Sequence, residues 1–541
     1  MAIVRTSVPG SGYGNVYTDA LVGGGTAWDP ASGEITYHFG EAIDFADASS
    51  VHGAEGILLD SSGLDAWSIA EKDAFRYALS LYSSVSGLTF EEASPGAAAD
   101  IVWWQQTLLD EGALGIHEIP DADGRQIWGA FDPSAASWGF LAKGGDGLYT
   151  IIHEIGHAVG LAHPHDGGGE ADATIFAGVL WPGDSGDRRL NQGVATVMSY
   201  NNTYDLASGS IAFGSQGGLG AFDIAALQAL YGANMNTRTG DDVYDLPLTN
   251  TIGTGWSSIW DAGGIDTISG AGSTTSVTID LRAATLLKGG AGGGGFISQA
   301  GLIGGGFTIA NGVVVENAIG GSRNDRLVGN SGANVLDGRG GADSMNGGAG
   351  DDTYYVNTSR DTIADTSGRD IVYASVSYTL PSATRIEILG VVDPGSKKSI
   401  ALTGNPFANT IKGNAGSNII SGKGGNDLLT GGPGRDTFAF DTKLASKTNV
   451  DRILDFSVHD DTIRLDNSIF RAFDKTGTPA AGAFHITKSA KLAHDADDRI
   501  IYNKTNGYLY YDADGIGGEP ATKFARVDKG LALKVSDFYI I

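Results

Sequence analysis

The chain of 541 residues has no cysteine and far fewer basic than acidic side chains. Without cysteine, neither a disulfide nor a cysteine-ligated zinc site can stabilise the fold. The 35 Lys and Arg residues stand against 63 Asp and Glu, a formal charge of −28 that repels nucleic acid and anionic membranes unless cations neutralise it. We therefore expect bound divalent cations, and no nucleic acid as a partner.

Long apolar segments are also missing. No stretch approaches the ~18–20 consecutive apolar residues of a membrane span, and the start, MAIVRTSVPGSGYG, lacks the basic and apolar regions of a secretory signal peptide. We expect no membrane span and no export by the general secretory route. With 41% hydrophobic residues, the chain can still bury at least one sizeable core.

The composition divides the chain into four predicted regions. Residues 1–25 are a candidate propeptide or flexible N-terminus, and 26–235 have the ordinary complexity of a globular α/β domain. Gly, Asp and Asn then dominate residues 236–440, where the sequence repeats itself. Residues 441–541 are less repetitive and predict a C-terminal β region.

Local signals predict several elements. A capping box at Ser68 and Glu71 begins a helix that we expect to pack behind a sheet, and the β-branched and aromatic segment 99–106 predicts a strand. Gly232 is a suitable end for the helix that precedes it. The Asn-Gly pair at 506–507 lies between two apolar runs and predicts a hairpin.

Residues 153–163 read HEIGHAVGLAH, a pattern with the spacing of metal ligands. His153 and His157 leave one face of a predicted helix one turn apart, so both can bind the same ion. Gly160 can adopt the positive φ that ends the helix and lets His163 supply a third nitrogen. Three neutral ligands leave a fourth position for water, as in catalytic zinc sites.

Glu154 follows the first of these histidines and is the candidate general base. The alternative is that the histidines are ordinary residues of a helix. Five fixed residues at these offsets arise by chance in on the order of 1 in 10⁴ chains of this length. The pattern therefore favours one catalytic zinc ion.

This motif, followed by a methionine turn, resembles the metzincin proteases. The segment TVMSY places Met198 at the methionine-turn position and Tyr200 two residues later. His-Pro at 163–164, YGAN at 231–234 and WDAGGIDT at 260–267 resemble the serralysin branch, the M10B peptidases. The resemblance implies that Met198 supports the zinc site from beneath, and that Tyr200 is a further zinc ligand that swings away to stabilise the oxyanion.

The segment after the third histidine departs from this family. His165 and Asp166 are interpreted as loop residues, with a regulatory or adventitious metal contact as the alternative. The long segment 167–189 can reshape the substrate subsites, so cleavage preference does not transfer from the family. We expect the substrate to lie extended along 99–106, taken as an edge strand, by strand addition.

Two blocks of four nine-residue repeats begin at Gly320 and Gly404 and match G-G-x-G-x-D-x-U-x, where U is a large apolar residue. Their hard oxygen ligands suit Ca²⁺. The resemblance to the parallel β-roll of RTX proteins implies ions between repeats n and n+2. The expected carboxylate ligands are Asp325, Asp343, Asp352, Asp427 and Asp436. Their partners at 334, 409 and 418 are Asn, which lowers the charge and should weaken those sites; the alternative for the whole region is a linker without ions.

The serralysin resemblance also implies calcium sites at the junction before the repeats, in part through backbone carbonyls. The expected residues are Arg238, Gly240 and Asp242 in one set, and Asp261, Gly263, Gly264, Asp266, Val314 and Glu316 in another. Asp512 and Asp514 are interpreted as a polar turn, with a cation loop as the alternative.

The expected fold is thus an α/β metzincin catalytic domain followed by an all-β parallel β-roll. The resemblance implies a zinc endopeptidase that cleaves extracellular proteins or peptides and is stabilised by several Ca²⁺ ions. It also implies export from a bacterium by type I secretion machinery, with a C-terminal signal ending in DFYII. We expect a monomer, with a proteinaceous inhibitor as a further candidate partner. The alternative is a non-catalytic, calcium-dependent surface or matrix protein with a vestigial protease domain.

Overall fold

The computed structural model describes residues 2–41, 64–94, 97–108, 113–166, 174–201, 210–488 and 493–541. The chain forms two compact units, Met1–Val315 and Glu316–Ile541. In the described ranges, no helix combines the length and apolar character needed to cross a membrane.

The helices of the first unit are α1 (Val16–Leu21), α2 (Ile69–Val85), α3 (Asp146–Ala158) and α4 (Ala221–Tyr231). Its strands are β1 (Val4–Val8), β2 (Gly25–Trp28), β3 (Ile35–Phe39), β4 (Phe90–Glu92), β5 (Ile101–Gln105), β6 (Gly115–His117), β7 (Ile127–Phe131), β8 (Val243–Asp245), β9 (Trp256–Ile259), β10 (Thr267–Ser269), β11 (Val277–Asp280), β12 (Ser298–Ala300) and β13 (Gly306–Ile309).

The second unit consists of short strands joined by turns. They are β14 (Asn317–Ile319), β15 (Arg326–Val328), β16 (Val335–Asp337), β17 (Ser344–Asn346), β18 (Thr353–Val356), β19 (Thr362–Ala364), β20 (Ile371–Ala374), β21 (Tyr378–Thr379), β22 (Ile388–Val391), β23 (Ala401–Thr403), β24 (Thr410–Lys412), β25 (Ile419–Ser421), β26 (Leu428–Thr430), β27 (Thr437–Phe440), β28 (Asp451–Ile453), β29 (Thr462–Leu465), β30 (Phe484–Thr487), β31 (Ile500–Asn503), β32 (Tyr508–Tyr511), β33 (Thr522–Arg526) and β34 (Phe538–Ile540).

Helix α2 begins at the predicted capping box. Ser68 accepts the backbone N–H of Glu71, and the Glu71 carboxylate accepts the backbone N–H of Ser68. On the buried face, the ring of Phe75 lies 4.7 Å from that of Trp103 and 4.9 Å from that of Phe131, measured between centroids. The prediction of a helix packed behind a sheet is therefore confirmed.

The sheet in front of α2 has the strand order β4-β3-β5-β7-β6, parallel except for β6, which is antiparallel to β7. The predicted strand at 99–106 is β5, but its predicted place at the sheet edge is wrong. β5 pairs with β3 on one side and β7 on the other, and all five of its residues are buried. A continuous apolar run of this kind is typical of an interior parallel strand.

Most strands from β14 to β29 pair in parallel with the second strand after them in the chain. For example, Ala318 of β14 lies opposite Leu336 of β16, which lies opposite Tyr354 of β18. The apolar residue at the strand centre, such as Leu336 or Leu429, is fully buried. This C-terminal region is mostly β, and its parallel ladders are consistent with the expected β-roll.

Residues 357–403 continue these ladders, although the sequence predicts only ordinary strands between the two repeat blocks. β20 and β22 pair in parallel with each other and join β18 to β24. Asp361 and Asp370 take part, because each accepts the backbone N–H of the residue 18 positions earlier, Asp343 and Asp352. The predicted hairpin at 506–507 is confirmed, since β31 and β32 are antiparallel.

Candidate metal and catalytic site

The histidine motif lies on α3 and the turn that follows it. Gly160, directly after the helix, has φ of +87°, a left-handed conformation that glycine adopts without strain. The chain then reverses, and the backbone N–H of Leu161 donates to the carbonyl of Gly156 at 2.8 Å. The reversal brings His163 back to the Nε2 atoms of His153 and His157.

His153, His157 and His163, called here the histidine triad, converge through one ring nitrogen each. Nε2 of His163 lies 3.2 Å from Nε2 of His153 and 3.0 Å from Nε2 of His157. Burial, followed by the neighbouring His163, lowers the pKa of His153 to about 3, and burial likewise holds the pKa of His157 well below its usual value. The two helical rings are therefore neutral, the form in which imidazole binds a metal.

The opposite ring nitrogens are fixed by neighbouring acceptors. Nδ1 of His153 lies 2.8 Å from the carbonyl of Val197, and Nδ1 of His157 lies 2.9 Å from the carbonyl of Leu161. Because a carbonyl only accepts, these Nδ1 atoms carry the protons and Nε2 keeps its lone pair.

The third histidine is oriented by Asp166. Nδ1 of His163 lies 2.7 Å from Oδ2 of Asp166, an orientation by a carboxylate that is common among metal-binding histidines. The donor set of three inward-facing Nε2 atoms thus fits a zinc ion. This orienting role of Asp166 was not predicted from the sequence.

Glu154 is buried next to the triad. Burial raises the pKa of its carboxyl to about 8. A Cβ placed on Gly115 of β6 would lie 2.7 Å from Cγ of Glu154, so the end strand of the described sheet runs directly past this carboxyl. Gly115 was not predicted as a site residue, since nothing local marks a glycine 39 positions before Glu154 in the chain.

The phenol of Tyr200 lies beside the triad and is 55% exposed. Its ring centroid is 4.7 Å from that of His163 and 5.7 Å from that of His153. Burial, followed by Glu154, raises its pKa to about 12, so the hydroxyl keeps its proton near neutral pH. The ring centroid of His165 lies 5.0 Å from that of His163, on which it stacks, and 5.1 Å from that of Tyr200. The loop residue His165 therefore also lies at the site.

Met198 is fully buried beneath α3. A Cβ on Gly156 would lie 2.4 Å from Sδ of Met198, so the sulfur packs against the helix between its two ligands. Gly156 occupies an unspecified position of the histidine motif, and its importance becomes visible only through this contact.

The expected calcium carboxylates form two ladders of hydrogen bonds in each repeat block. The backbone N–H of the residue at position six donates to Oδ1 of the residue 18 positions later, at 2.7–2.9 Å. The pairs are Asp325 with Asp343, Asn334 with Asp352, Asn409 with Asp427, and Asn418 with Asp436.

The second oxygen of these carboxylates faces the interior. No described donor bonds to Oδ2 of Asp343, Asp352, Asp427 or Asp436. Burial raises the pKa of Asp343 to about 7 and that of Asp427 to about 9. A buried anionic oxygen without a donor is costly, and a cation of the Ca²⁺ type removes this cost.

Two protein-family models match the C-terminal part of the chain. Residues 233–377 match the family model Peptidase M10 serralysin C terminal, and 403–438 match the RTX calcium-binding nonapeptide repeat. Residues 233–377 are therefore similar to the C-terminal domain of the M10 serralysin peptidases. The matched RTX repeats at 403–438 contain the ladders of the second repeat block.

Known serralysins are similar to more of the chain. Serralysin B of Dickeya chrysanthemi is 34% identical over 272 residues, covering 47% of this chain and 52% of that protein. Metallopeptidase AprA of Pseudomonas marginalis is 30% identical over 312 residues, covering 54% and 60%. Serralysin C of Dickeya chrysanthemi is 38% identical over 193 residues, covering 34% and 36%. The chain spans about half the length of the curated relatives it matches first.

Three carboxylates lie close together near the start of the matched region 233–377. They were predicted from the sequence to belong to two separate calcium sites. One oxygen each of Asp242, Asp261 and Asp266 lie within 4.8 Å of one another. A Cβ on Gly264 would lie 2.1 Å from the carbonyl oxygen of Gly240, so these two glycines meet at the same place.

The remaining predicted residues of the junction are less closely gathered. The carbonyl of Arg238 accepts the backbone N–H of Ala262, Gly263 donates to Asp261, and Val314 is exposed. The carbonyl of Glu316 accepts from the side chain of Asn334. These four stay predicted ligands.

Two other predictions concern loops. Oδ1 of Asp512 accepts the backbone N–H groups of Asp514 and Gly515, which is the geometry of a polar turn. Of the segment 167–189, residues 167–173 lie outside the described residues, so its effect on the subsites stays a prediction.

Proposed function

We propose that this chain is a secreted, calcium-stabilised zinc endopeptidase, with an α/β metzincin catalytic domain followed by a β-roll. The observation that carries the proposal is the convergence of three Nε2 atoms beside the buried carboxyl of Glu154 and the phenol of Tyr200. All of these residues lie within the predicted catalytic region 26–235. The relatives named serralysin and metallopeptidase support the same activity.

The triad residues and Tyr200 are the proposed holders of the zinc. When bound there, zinc supplies Lewis-acid polarisation of the scissile carbonyl and makes water acidic enough to ionise near pH 7. Glu154 accepts the proton of the attacking water and returns it to the leaving amine, because its buried carboxyl lies next to the triad. Tyr200, which keeps its proton, donates a hydrogen bond to the developing oxyanion.

We propose β6, rather than β5, as the strand along which an extended substrate binds. β6 ends the described sheet and passes Glu154 at Gly115. A peptide added beside β6 would gain main-chain hydrogen bonds while its scissile bond lies next to the carboxyl.

The calcium sites and the export route complete the proposal. Without calcium, the facing carboxylates oppose folding of the repeats, and millimolar calcium outside a bacterial cell can fold sites of this class. We propose that the chain leaves the cell by type I secretion and acts as a monomer on extracellular proteins. A proteinaceous inhibitor is a further proposed partner.

The substitution Glu154→Gln tests the catalytic assignment. We expect casein cleavage to fall at least about 100-fold while bound zinc, measured by elemental analysis, stays at the wild-type level. A zinc chelator should abolish wild-type cleavage. A wild-type protein that binds zinc and calcium but leaves casein and a peptide library intact would instead support the non-catalytic surface protein.

A further inference from the structure

A second cluster of metal-ligating side chains lies in the second unit, outside the repeats. His485 lies on β30, and His494 and Asp498 precede β31, which pairs in parallel with β30. One ring nitrogen of each histidine and one carboxylate oxygen of Asp498 all lie within 4.8 Å of one another. We propose that these three side chains form a second zinc site, separate from the histidine triad.

The two histidine rings are arranged much like a pair in the triad. The ring centroids of His485 and His494 are 5.3 Å apart, with 11° between the ring planes. In the triad, the rings of His153 and His163 are 5.1 Å apart, with 28° between the planes. The spacing of the second pair is thus one from which two imidazoles reach a common ion.

The carboxylate of the cluster is held in place by the backbone. Asp498 is 3% exposed, and its Oδ2 accepts the backbone N–H groups of His494 and Asp495. The same oxygen lies 4.0 Å from Nδ1 of His485. A buried carboxylate fixed by N–H groups is preorganised as a ligand, since little side-chain freedom is lost when an ion binds.

A further carboxylate raises the negative charge at the cluster. Oδ2 of Asp495 lies 3.2 Å from Nδ1 of His494, and the chain as a whole carries a formal charge of −28. Both favour a cation. Two imidazoles with a carboxylate select a borderline metal such as Zn²⁺ over Ca²⁺, which prefers oxygen ligands alone.

Zinc bound here would tie β30 to the turn before β31 and so connect two segments of the C-terminal β region. Binding to the folded state alone stabilises it. The site would therefore act as a cross-link in a chain that has no cysteine for a disulfide. The contrasting explanation of the same contacts is a pair of protonated histidines next to acidic residues, without any metal.

Zinc binding by the full chain, saturated with calcium, distinguishes these explanations. We expect two equivalents of zinc in the wild type by equilibrium dialysis and elemental analysis, and one in both His494→Ala and Asp498→Asn. His494 is 70% exposed, so its removal leaves the packing intact. A His157→Ala variant should lose the other equivalent. The matched control is His459→Ala. His459 is exposed and lies 2.8 Å from Asp460, but it belongs to no group of three potential metal ligands among the described residues, so this variant should keep both equivalents of zinc.

Thermal unfolding provides a readout that is independent of proteolysis. Added zinc should raise the melting temperature of His157→Ala but leave that of the double variant His157→Ala/His494→Ala unchanged. A wild type that binds a single equivalent, lost on His157→Ala, would overturn the second site while leaving the proposed protease intact. So would His494→Ala and His485→Ala variants that bind as much zinc as the wild type.

Discussion

The carboxylate of Asp223 accepts a hydrogen bond of 2.7 Å from the backbone N–H of Val197, whose carbonyl lies 2.8 Å from Nδ1 of His153. Asp223 also accepts the backbone N–H of Gly220 at 2.8 Å and the hydroxyl of Thr196. It is fully buried on α4. Helix α4 therefore fixes the segment on which the tautomer of His153 depends.

The substitution Asp223→Asn should weaken both the fold and the metal site. The amide keeps the shape of the carboxylate, but its NH₂ group cannot accept, so a buried donor loses its acceptor at a cost of about 1–3 kcal/mol. We expect zinc affinity, measured by competition with a chromophoric chelator, to fall about 10- to 100-fold. The exposed Asp73→Asn on α2 is the control and should change neither quantity. Wild-type zinc affinity in Asp223→Asn would contradict the role of α4.

Gly156→Ala tests the contact with Met198. In an open helix position, replacing Gly by Ala stabilises a protein by about 1 kcal/mol. Here the new Cβ would lie 2.4 Å from Sδ of Met198, so we expect the free energy of unfolding to fall by about 1–3 kcal/mol instead. Gly139→Ala, where a Cβ meets nothing within 4 Å, is the control.

A double-mutant cycle with Met198→Ala separates the clash from a general effect on α3. Met198→Ala removes the sulfur, so the double variant should be more stable than the sum of the single changes predicts, by at least about 0.5 kcal/mol. Strict additivity would show that Gly156 and Met198 do not interact.

His117 gives the fold a defined dependence on pH. Burial lowers its pKa to about 4, and Nε1 of Trp103 donates to its Nε2 at 3.0 Å, which requires that nitrogen to be unprotonated. An unfolded histidine takes up its proton near pH 6.5, so the unfolded state binds more protons between about pH 6.5 and 4. The stabilisation is complete above this window and is lost as the pH falls through it.

The comparison of His117→Gln with the wild type isolates this contribution. Urea unfolding at constant calcium should show a smaller loss of stability from pH 6.5 to 4 in His117→Gln than in the wild type. His459 is exposed, so His459→Gln should lose as much stability between pH 6.5 and 4 as the wild type does. Equal slopes in all three proteins would mean that His117 titrates normally in the folded state.

The sequence predicts those parts of the site that depend on local geometry. His153 and His157 follow from helical spacing, and Gly160 follows from the need for a reversal before His163. Asp223 and Gly115 lie on other elements of the fold, so no local spacing connects them to the motif. The edge position of β5 was wrong for the same reason, because strand order depends on pairing between distant segments.

The repeats show a similar limit. The nine-residue period predicts Asp343 and Asp352, but Asp361 and Asp370 lie where the glycine pattern fades. Their spacing of 18 residues from Asp343 and Asp352 was the available signal. This spacing identifies Asp361 and Asp370 as members of the ladders only once the parallel pairing of alternate strands is known.

Asp370→Asn tests whether this fading segment binds calcium. One oxygen each of Asp352, Asp365 and Asp370 lie within 4.8 Å of one another, and burial raises the pKa of Asp370 to about 7. Below about that pH the carboxyl of Asp370 holds a proton, which calcium must displace. The calcium concentration at which half of the protein is folded should therefore fall as the pH rises from about 6 to 8. Because Asp370→Asn removes one negative charge, it should raise the calcium concentration needed for half-folding about tenfold at pH 8.

The matched control is Asp393→Asn, which removes an exposed carboxylate that accepts the backbone N–H of Gly395. Both variants change the net charge equally, so a general electrostatic effect would shift both calcium titrations of the β circular dichroism signal alike. A direct ligand role predicts that the half-point moves in Asp370→Asn alone and that its pH dependence becomes shallower, because one titrating group is gone. If the two variants coincide, Asp370 completes the ladder as a hydrogen-bond acceptor and is not a calcium ligand.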